Sequence, residues 1–383
     1  MKITMENIRV MRYAEVDLGD LTIICGDNNA GKTLTTHTTY GFFHFWKTQY
    51  QIPIEDEIVA ELKAAGSYTI QLEDYVKQAP HIIQLACLEY TKNLRVQRNN
   101  ENASFNFTVS PEEIKINDSA YESKTCITVT KNALAKEVTL EIASTEFNMP
   151  ENIVKAVVSD TIKSIVFSPV CPRVYIITNE RDMNFFEKQP VNLTLQKSEI
   201  YVKHKVVIDS FEDMLGSIRS LLQLSRYLKH QARVGDLVII EEPELNLHPK
   251  NQRRIARLLA SLVNCGLKIM ITTHSDYILR EFNNLILLTG KSPHLKKIIK
   301  ERNYTDLELL PSSKRVRLYT AEEGRVLLPN YKRKTKVKTL VEIPIDDAGI
   351  PRSDFDDVIN EMNRITDDIV FGGCKGFSFT QHM

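Results

Sequence analysis

The chain has 383 residues, 43% of them hydrophobic and 26% charged, with a formal net charge of zero. That length holds one large α/β domain or two smaller ones, and the composition excludes a disordered or fibrous chain. It contains no apolar run of about 18 residues, so no helical membrane span is expected, and "MKITMENIRVMRYAEVD" lacks the apolar core of a secretory leader. Six cysteines (Cys25, Cys87, Cys126, Cys171, Cys265, Cys374) are scattered without C-x-x-C pairing. This speaks against a zinc module or a disulfide framework and suits a reducing cytoplasm.

In chain order, "KITMENIRV" and "AEVDLGDLTIICG" read as short alternating strands around a turn at Gly19-Asp20. Residues 23–36, "IICGDNNAGKTLTT", then carry the spacing G-x-x-x-x-G-K-[ST] over Gly26 to Thr33. The pattern means something only after a buried strand and at the start of a helix. "LTIIC" precedes it here and "TLTTHTTYGFF" follows. Gly26 and Gly31 permit positive φ and close backbone approach. The amides of residues 28 to 33, those of Asn28, Asn29 and Ala30 among them, can then face phosphate oxygens at a helix N-terminus. Lys32 neutralises β/γ-phosphate charge, and Thr33 offers a hydroxyl to Mg²⁺.

Residues 55–98 show a helical pattern, which predicts a helical insert over about 50–100. From about 104 to 145, "ASFNFTV", "KTCITVT" and "EVTLEIA" predict an antiparallel strand set. "VYIITNERD" is a further strand ending in charge. "GSIRSLLQLSRYLKHQA" is a helix. "DLVIIEEPELNLHP" is a buried strand and polar turn, followed by a helix from Pro249. "LKIMITTHS" is a second buried strand and "YILREFNNLILL" a closing helix. Short apolar strands alternating with helices imply a mostly parallel sheet covered by helices.

Two strand ends carry chemistry. "LVII" runs into Glu241-Glu242, where a carboxylate beside the phosphate loop holds Mg²⁺ and the next one polarises an attacking water. The expected metal ligands are therefore Thr33 and Glu241, with Glu242 as the catalytic base. "IMIT" ends in Thr273, His274 and Ser275, and His274 is placed to bond a γ-phosphate or that water.

The order of phosphate loop, "EEPELNLHP" and "TTHS" resembles the head of ABC-type ATPases, as in the SMC and OLD-like families. The wording "EEPELNLHP…THSDYIL" is most similar to ATPase subunits of prokaryotic antiphage systems such as Septu, PARIS, Gabija and retron-associated ones. The resemblance runs over most of residues 1–290. It implies a P-loop NTPase fold of the ABC-ATPase head type: an α/β core sheet with flanking helices, an antiparallel β subdomain and a helical insert. It also implies ATP with Mg²⁺, and heads that pair so that a signature helix of the opposite subunit clamps each ATP. The matching stretch is "MLGSIRSLL", with Ser217 at a helix start, although the full L-S-G-G-Q form is missing. By the same likeness Arg181 of "VYIITNERD" lies near the nucleotide or the dimer seam, and Arg12 points at the phosphates. One departure is Glu241, where most such heads carry Asp.

The rest of the chain narrows the role. Only residues 33–240 lie between Lys32 and Glu241, without sustained heptads, so no SMC-type coiled-coil arm is present. Residues 275–383 show no nuclease signature. Residues 291–383 read as a C-terminal extension for partner contact. Within it, 291–338 hold 14 Lys/Arg against 5 Asp/Glu, net +9, and 341–370 hold 9 Asp/Glu against 2 Lys/Arg, net −7. "RSDFDDVINEMNRITDDI" spaces Phe355, Ile359, Met362 and Ile365 as a packed helix. The basic stretch fits nucleic acid or an acidic partner. Three functions stay open: an ATP-dependent homodimeric or higher homo-oligomeric switch over a separately encoded effector (a nuclease or toxin) in antiphage defence, an SMC-like DNA repair or recombination ATPase, and a nucleotide-locked scaffold without turnover.

Overall fold

The computed structural model describes residues 1–98, 102–116, 127–132, 137–142, 149–178, 197–212, 219–311, 314–328, 333–345 and 349–350. The chain begins with β1 (Lys2–Ile8), β2 (Met11–Asp17), β3 (Leu21–Gly26), α1 (Lys32–Thr48), α2 (Asp56–Ala65), β4 (Ser67–Gln71), α3 (Leu72–Arg98) and β5 (Ser104–Thr108). Next come β6 (Ile127–Asn132), β7 (Glu137–Ile142), α4 (Glu151–Ile162), β8 (Val174–Ile177), α5 (Glu199–Asp209), α6 (Arg219–His230) and β9 (Leu237–Glu241). It goes on with α7 (Pro249–Asn264), β10 (Lys268–Thr272), α8 (Asp276–Leu287), α9 (Pro293–Glu301), β11 (Val316–Val326) and β12 (Thr335–Ile343).

The central sheet has the order β12-β11-β3-β10-β9-β8. β11, β3, β10, β9 and β8 are mutually parallel, and only the edge strand β12 runs antiparallel. Both faces of this sheet are covered, which explains the uninterrupted apolar runs. Successive side chains point to opposite faces. Ile24, Leu237, Ile239 and Met270 therefore join one core, together with the aromatic residues of α1. Leu21, Ile23, Val238, Ile240, Ile269 and Ile271 join a second core, with α6, α7 and α8.

The expected turn at Gly19-Asp20 separates β2 from β3. It needs a glycine, because a Cβ on Gly19 would lie 2.2 Å from the carbonyl oxygen of Arg315. The antiparallel set is divided between two small sheets, β2-β1-β5 and β4-β7-β6. The insert expected to be helical contains a strand, β4, which pairs with β7 from Ser67↔Glu141 to Gln71↔Glu137. Gly66, at φ 77, ends α2 and frees the chain to enter it.

The main sheet also runs past residue 290, where a C-terminal extension was expected to begin. β11 pairs with the strand of the phosphate loop from Val316↔Leu21 to Ala321↔Gly26. Part of the basic stretch is thus core architecture. The proposed tail helix, Ser217 and Arg181 lie outside the described residues. No described helix is long and apolar enough to cross a membrane.

Candidate nucleotide site

Parallel strands end together, and the crevice beyond their carboxyl ends is where α/β sheets bind ligands. Here β3 ends at Gly26, β9 at Glu241 and β10 at Thr272, with Thr272 in register with Glu241 on one side and Ile24 on the other. β10 thus lies between the loop strand and the double-glutamate strand. One crevice holds all three termini.

The loop from Gly26 to Thr33 is built as its spacing predicts. Gly26 (φ 119) and Gly31 (φ 109) are left-handed, and so is Asn29 (φ 59). A Cβ on Gly26 would meet the Ala321 carbonyl oxygen at 2.4 Å, and one on Gly31 would meet Met11 Cε at 2.5 Å. Gly26 is required by φ and by backbone space, and Gly31 by φ, since the Met11 tip could move aside. α1 starts at Lys32, with no side chain capping its first turn, so its leading amides face the crevice. Lys32 is buried, and its Nζ folds back onto the carbonyl oxygens of Gly26 (2.9 Å) and Asp27 (2.8 Å). Burial lowers its pKa, while Glu242 and Asp27 work the other way. An ammonium held by the carbonyl oxygens of a glycine loop, at the start of a helix, fits a polyphosphate.

Glu241 is buried on β9, and its Oε1 accepts from Thr36 Oγ1 at 2.5 Å. The same hydroxyl lies 2.9 Å from the Thr33 carbonyl oxygen, and His37 Nε2 is 3.4 Å from Glu241 Oε1. Glu241 therefore meets α1 one turn beyond Thr33. Thr33 itself is exposed at the helix start. The donor set fits a hydrated Mg²⁺, which takes few protein ligands and keeps its waters.

Glu242 is left-handed at φ 46, and its amide is held by the Thr272 carbonyl oxygen at 2.9 Å. For a non-glycine residue that conformation is strained, and strain of this kind concentrates at functional sites. Glu242 Oε1 lies 3.4 Å from His274 Nε2. Burial lowers the His274 pKa, with Lys32 adding to the effect, so the ring is neutral at pH 7. The His274 amide donates to Glu244 Oε1 (2.6 Å), as does Thr273 Oγ1 (2.9 Å). Burial raises the Glu244 carboxyl pKa, and its buried Oε2 has no hydrogen-bond partner among the described residues. Ser275 caps α8 by accepting from Ile278 N and donates to Gln252 Oε1 at 2.6 Å.

Lys32, Glu242 and His274 thus share one edge with Thr33, Glu241, Asn28, Asn29 and Ala30. Arg12 is exposed on β2, next to the Met11 that lies beneath Gly31. Sequence reasoning passed over Thr36, His37, Glu244 and Lys338. Thr36 and His37 follow Thr33 by three and four positions on a helix, which puts them on its face. Glu244 read as a polar turn residue. Lys338 of β12 reaches the Asn29 carbonyl oxygen at 3.3 Å, a contact that only the pairing of β11 with β3 brings about.

Residues 216–279, which include β9, α7 and β10, match the family model described as "AAA ATPase domain". One curated relative, UvrABC system protein A of Thermus thermophilus, is 26% identical over 108 residues. That stretch is 28% of this chain and only 11% of the relative. Similar solved structures include the SMC head domain from Thermotoga maritima, at 11% identity over 90% of this chain and 98% of that one, with a TM-score of 0.34. Another is the SmcHead bound to the C-winged helix domain of ScpA, at 9% identity over 91% and 98%, with a TM-score of 0.36. A third, UvrA2 from Deinococcus radiodurans, is 12% identical over 71% of this chain and 33% of that one, with a TM-score of 0.26.

Proposed function

We propose that the chain is an ATPase that binds Mg-ATP at the edge formed by β3, β9 and β10. One observation carries this reading: a glycine loop with its buried lysine shares an edge with a strained glutamate whose Oε1 lies 3.4 Å from the His274 ring. In the proposed reaction, water attacks the γ-phosphorus and its proton passes to the Glu242 carboxylate, while the bond from the γ-phosphorus to the β,γ-bridging oxygen breaks and ADP leaves with that electron pair. Lys32 and the loop amides stabilise charge on the phosphate oxygens. His274, with its Nε2 toward Glu242 Oε1, positions that carboxylate. Mg²⁺, when bound through the Thr33 hydroxyl and the Glu241 side, offsets β/γ-phosphate charge. Apo contacts of 3.4 Å suit groups that tighten around substrate.

We infer further that two heads close around ATP, Ser217 of each serving the site of the other, and that hydrolysis reopens them. Such a two-state element is suited to holding a separate effector in check. The antiphage setting, with a nuclease or toxin as effector, is supported by the wording of "EEPELNLHP…THSDYIL". Lys32→Ala tests the chemistry: ATP binding should be lost. Intact binding by that variant rejects the site. Purification of the native chain with its neighbouring gene products, with and without ATP, tests the switch. Recovery of this chain alone under both conditions rejects effector control.

A further inference from the structure

Away from the nucleotide edge, α7, α8 and α9 enclose a cleft of about 770 Å³. One wall is basic, with Lys250, Arg253, Arg254 and Arg257 from α7 and Arg302 after α9. The facing wall is apolar, formed by Leu287 and Leu288 from the end of α8 and Leu295 and Ile298 from α9. Among the described residues of the lining the one carboxylate is Glu281, which pairs with Arg253 at 2.7 Å. α9 buries none of its residues, and Leu295 and Ile298 are half-covered. An apolar stripe of this kind is expected to pack against something. The arginines are also held in place: Arg257 pairs with Glu308 at 2.7 Å and stacks on Tyr304, and Arg254 lies over Phe211. A rigid basic wall opposite an apolar one selects an acidic amphipathic segment.

The path of the chain says which segment. After β12, Ile345 and Ile350 pack on the core beneath α8. The Ile350 amide donates to Asn283 Oδ1 at 2.8 Å, and a Cβ on Gly349 would lie 3.2 Å from Leu287 Cδ2. The described residues therefore end next to Leu287, which lines the cleft. The next twenty residues, 351–370, hold 6 Asp/Glu against 2 Lys/Arg. They also space Phe355, Ile359, Met362 and Ile365 on one helical stripe, with Asp354, Asp357 and Glu361 flanking it.

We propose that this acidic segment docks in the α7-α8-α9 cleft of its own chain. Its apolar stripe then meets Leu287, Leu295 and Ile298, and its acids meet Arg254 and Arg302. Docking joins the end of the chain to the helix that follows the double-glutamate strand. The surface is consequently one for which an acidic partner segment would compete.

The test is disulfide trapping in the full-length chain with Leu295→Cys and Met362→Cys, mapped by mass spectrometry. A bridge within one chain is expected, because the linked segment acts at high effective concentration. Adding Arg254→Glu and Arg302→Glu should slow it roughly tenfold. As a control, Ala64→Cys on α2 should replace Leu295→Cys without bridging. Bridges found only between chains assign the cleft to a second copy and overturn the proposal. So does a bridging rate equal to the control or indifferent to the charge reversals. In a second measurement without cysteines, Phe355→Asp should speed amide exchange in α9 roughly tenfold. Unchanged exchange there also overturns the proposal.

Discussion

Strand β9 is flanked by buried Asp236 on one side and half-buried Glu242 on the other, and the two ends are built on opposite principles. At its start, Asp236 is fully partnered: Oδ2 accepts from Tyr227 OH (2.7 Å), Arg233 N (2.9 Å) and Arg173 Nη2 (3.2 Å), while Arg173 Nε lies 3.1 Å from Oδ1. Burial raises its pKa against the pull of Arg173, and relaxed backbone surrounds it. At the other end, Glu242 is left-handed, its contact with His274 is long, and Glu244 Oε2 is buried without a partner among the described residues. Buried polar groups are nearly always satisfied, so a group left short of a partner calls for an explanation. The first end is an anchor. The second carries a strained backbone at Glu242, which suits an edge that a ligand completes.

That contrast can be broken by substitution, and the largest effect is expected at the anchor. Asp236→Ala leaves Arg173 and the Tyr227 hydroxyl without their carboxylate, and should cost about 3 kcal/mol in urea unfolding. ATP affinity of the remaining folded protein should stay unchanged. A comparable loss of affinity would mean that the two ends are not independent. Glu244→Gln comes next. It keeps the shape but weakens the acceptor for the His274 amide, and should lower turnover with a stability change of about 1 kcal/mol. The smallest effect has the opposite sign. Glu242→Gly relieves the left-handed backbone and should raise stability by about 1 kcal/mol while removing turnover. A destabilised Gly variant would show that Glu242 is not strained.

The chain order of the nucleotide edge was readable because its strands are buried on both faces. Such strands appear as plain apolar runs, and the residue after each run stands at the edge, as Gly26, Glu241 and Thr272 do. β4 was not readable. "SYTIQ" has five residues with one buried, and is a strand because β7 lies beside it. β11 and β12 were hidden for a related reason. Beyond Ala321, β11 pairs among the described strands only with β12, so charged residues such as Glu322, Glu323 and Lys336 face solvent there and mask the strand pattern. The link between Thr36 and Glu241 depends on the depth at which α1 packs on the sheet, which no spacing in either segment encodes.

The central claim is that the strained end of β9 is a catalytic edge and not a locked scaffold. Steady-state phosphate release from Mg-ATP, measured for the wild-type chain and for Glu242→Gln alongside ATP binding, tests it most directly. The account predicts near-normal binding by the variant and turnover lower by about a hundredfold, equivalent to ~3 kcal/mol in barrier. Equal turnover in the two proteins, or no turnover in either, would contradict it.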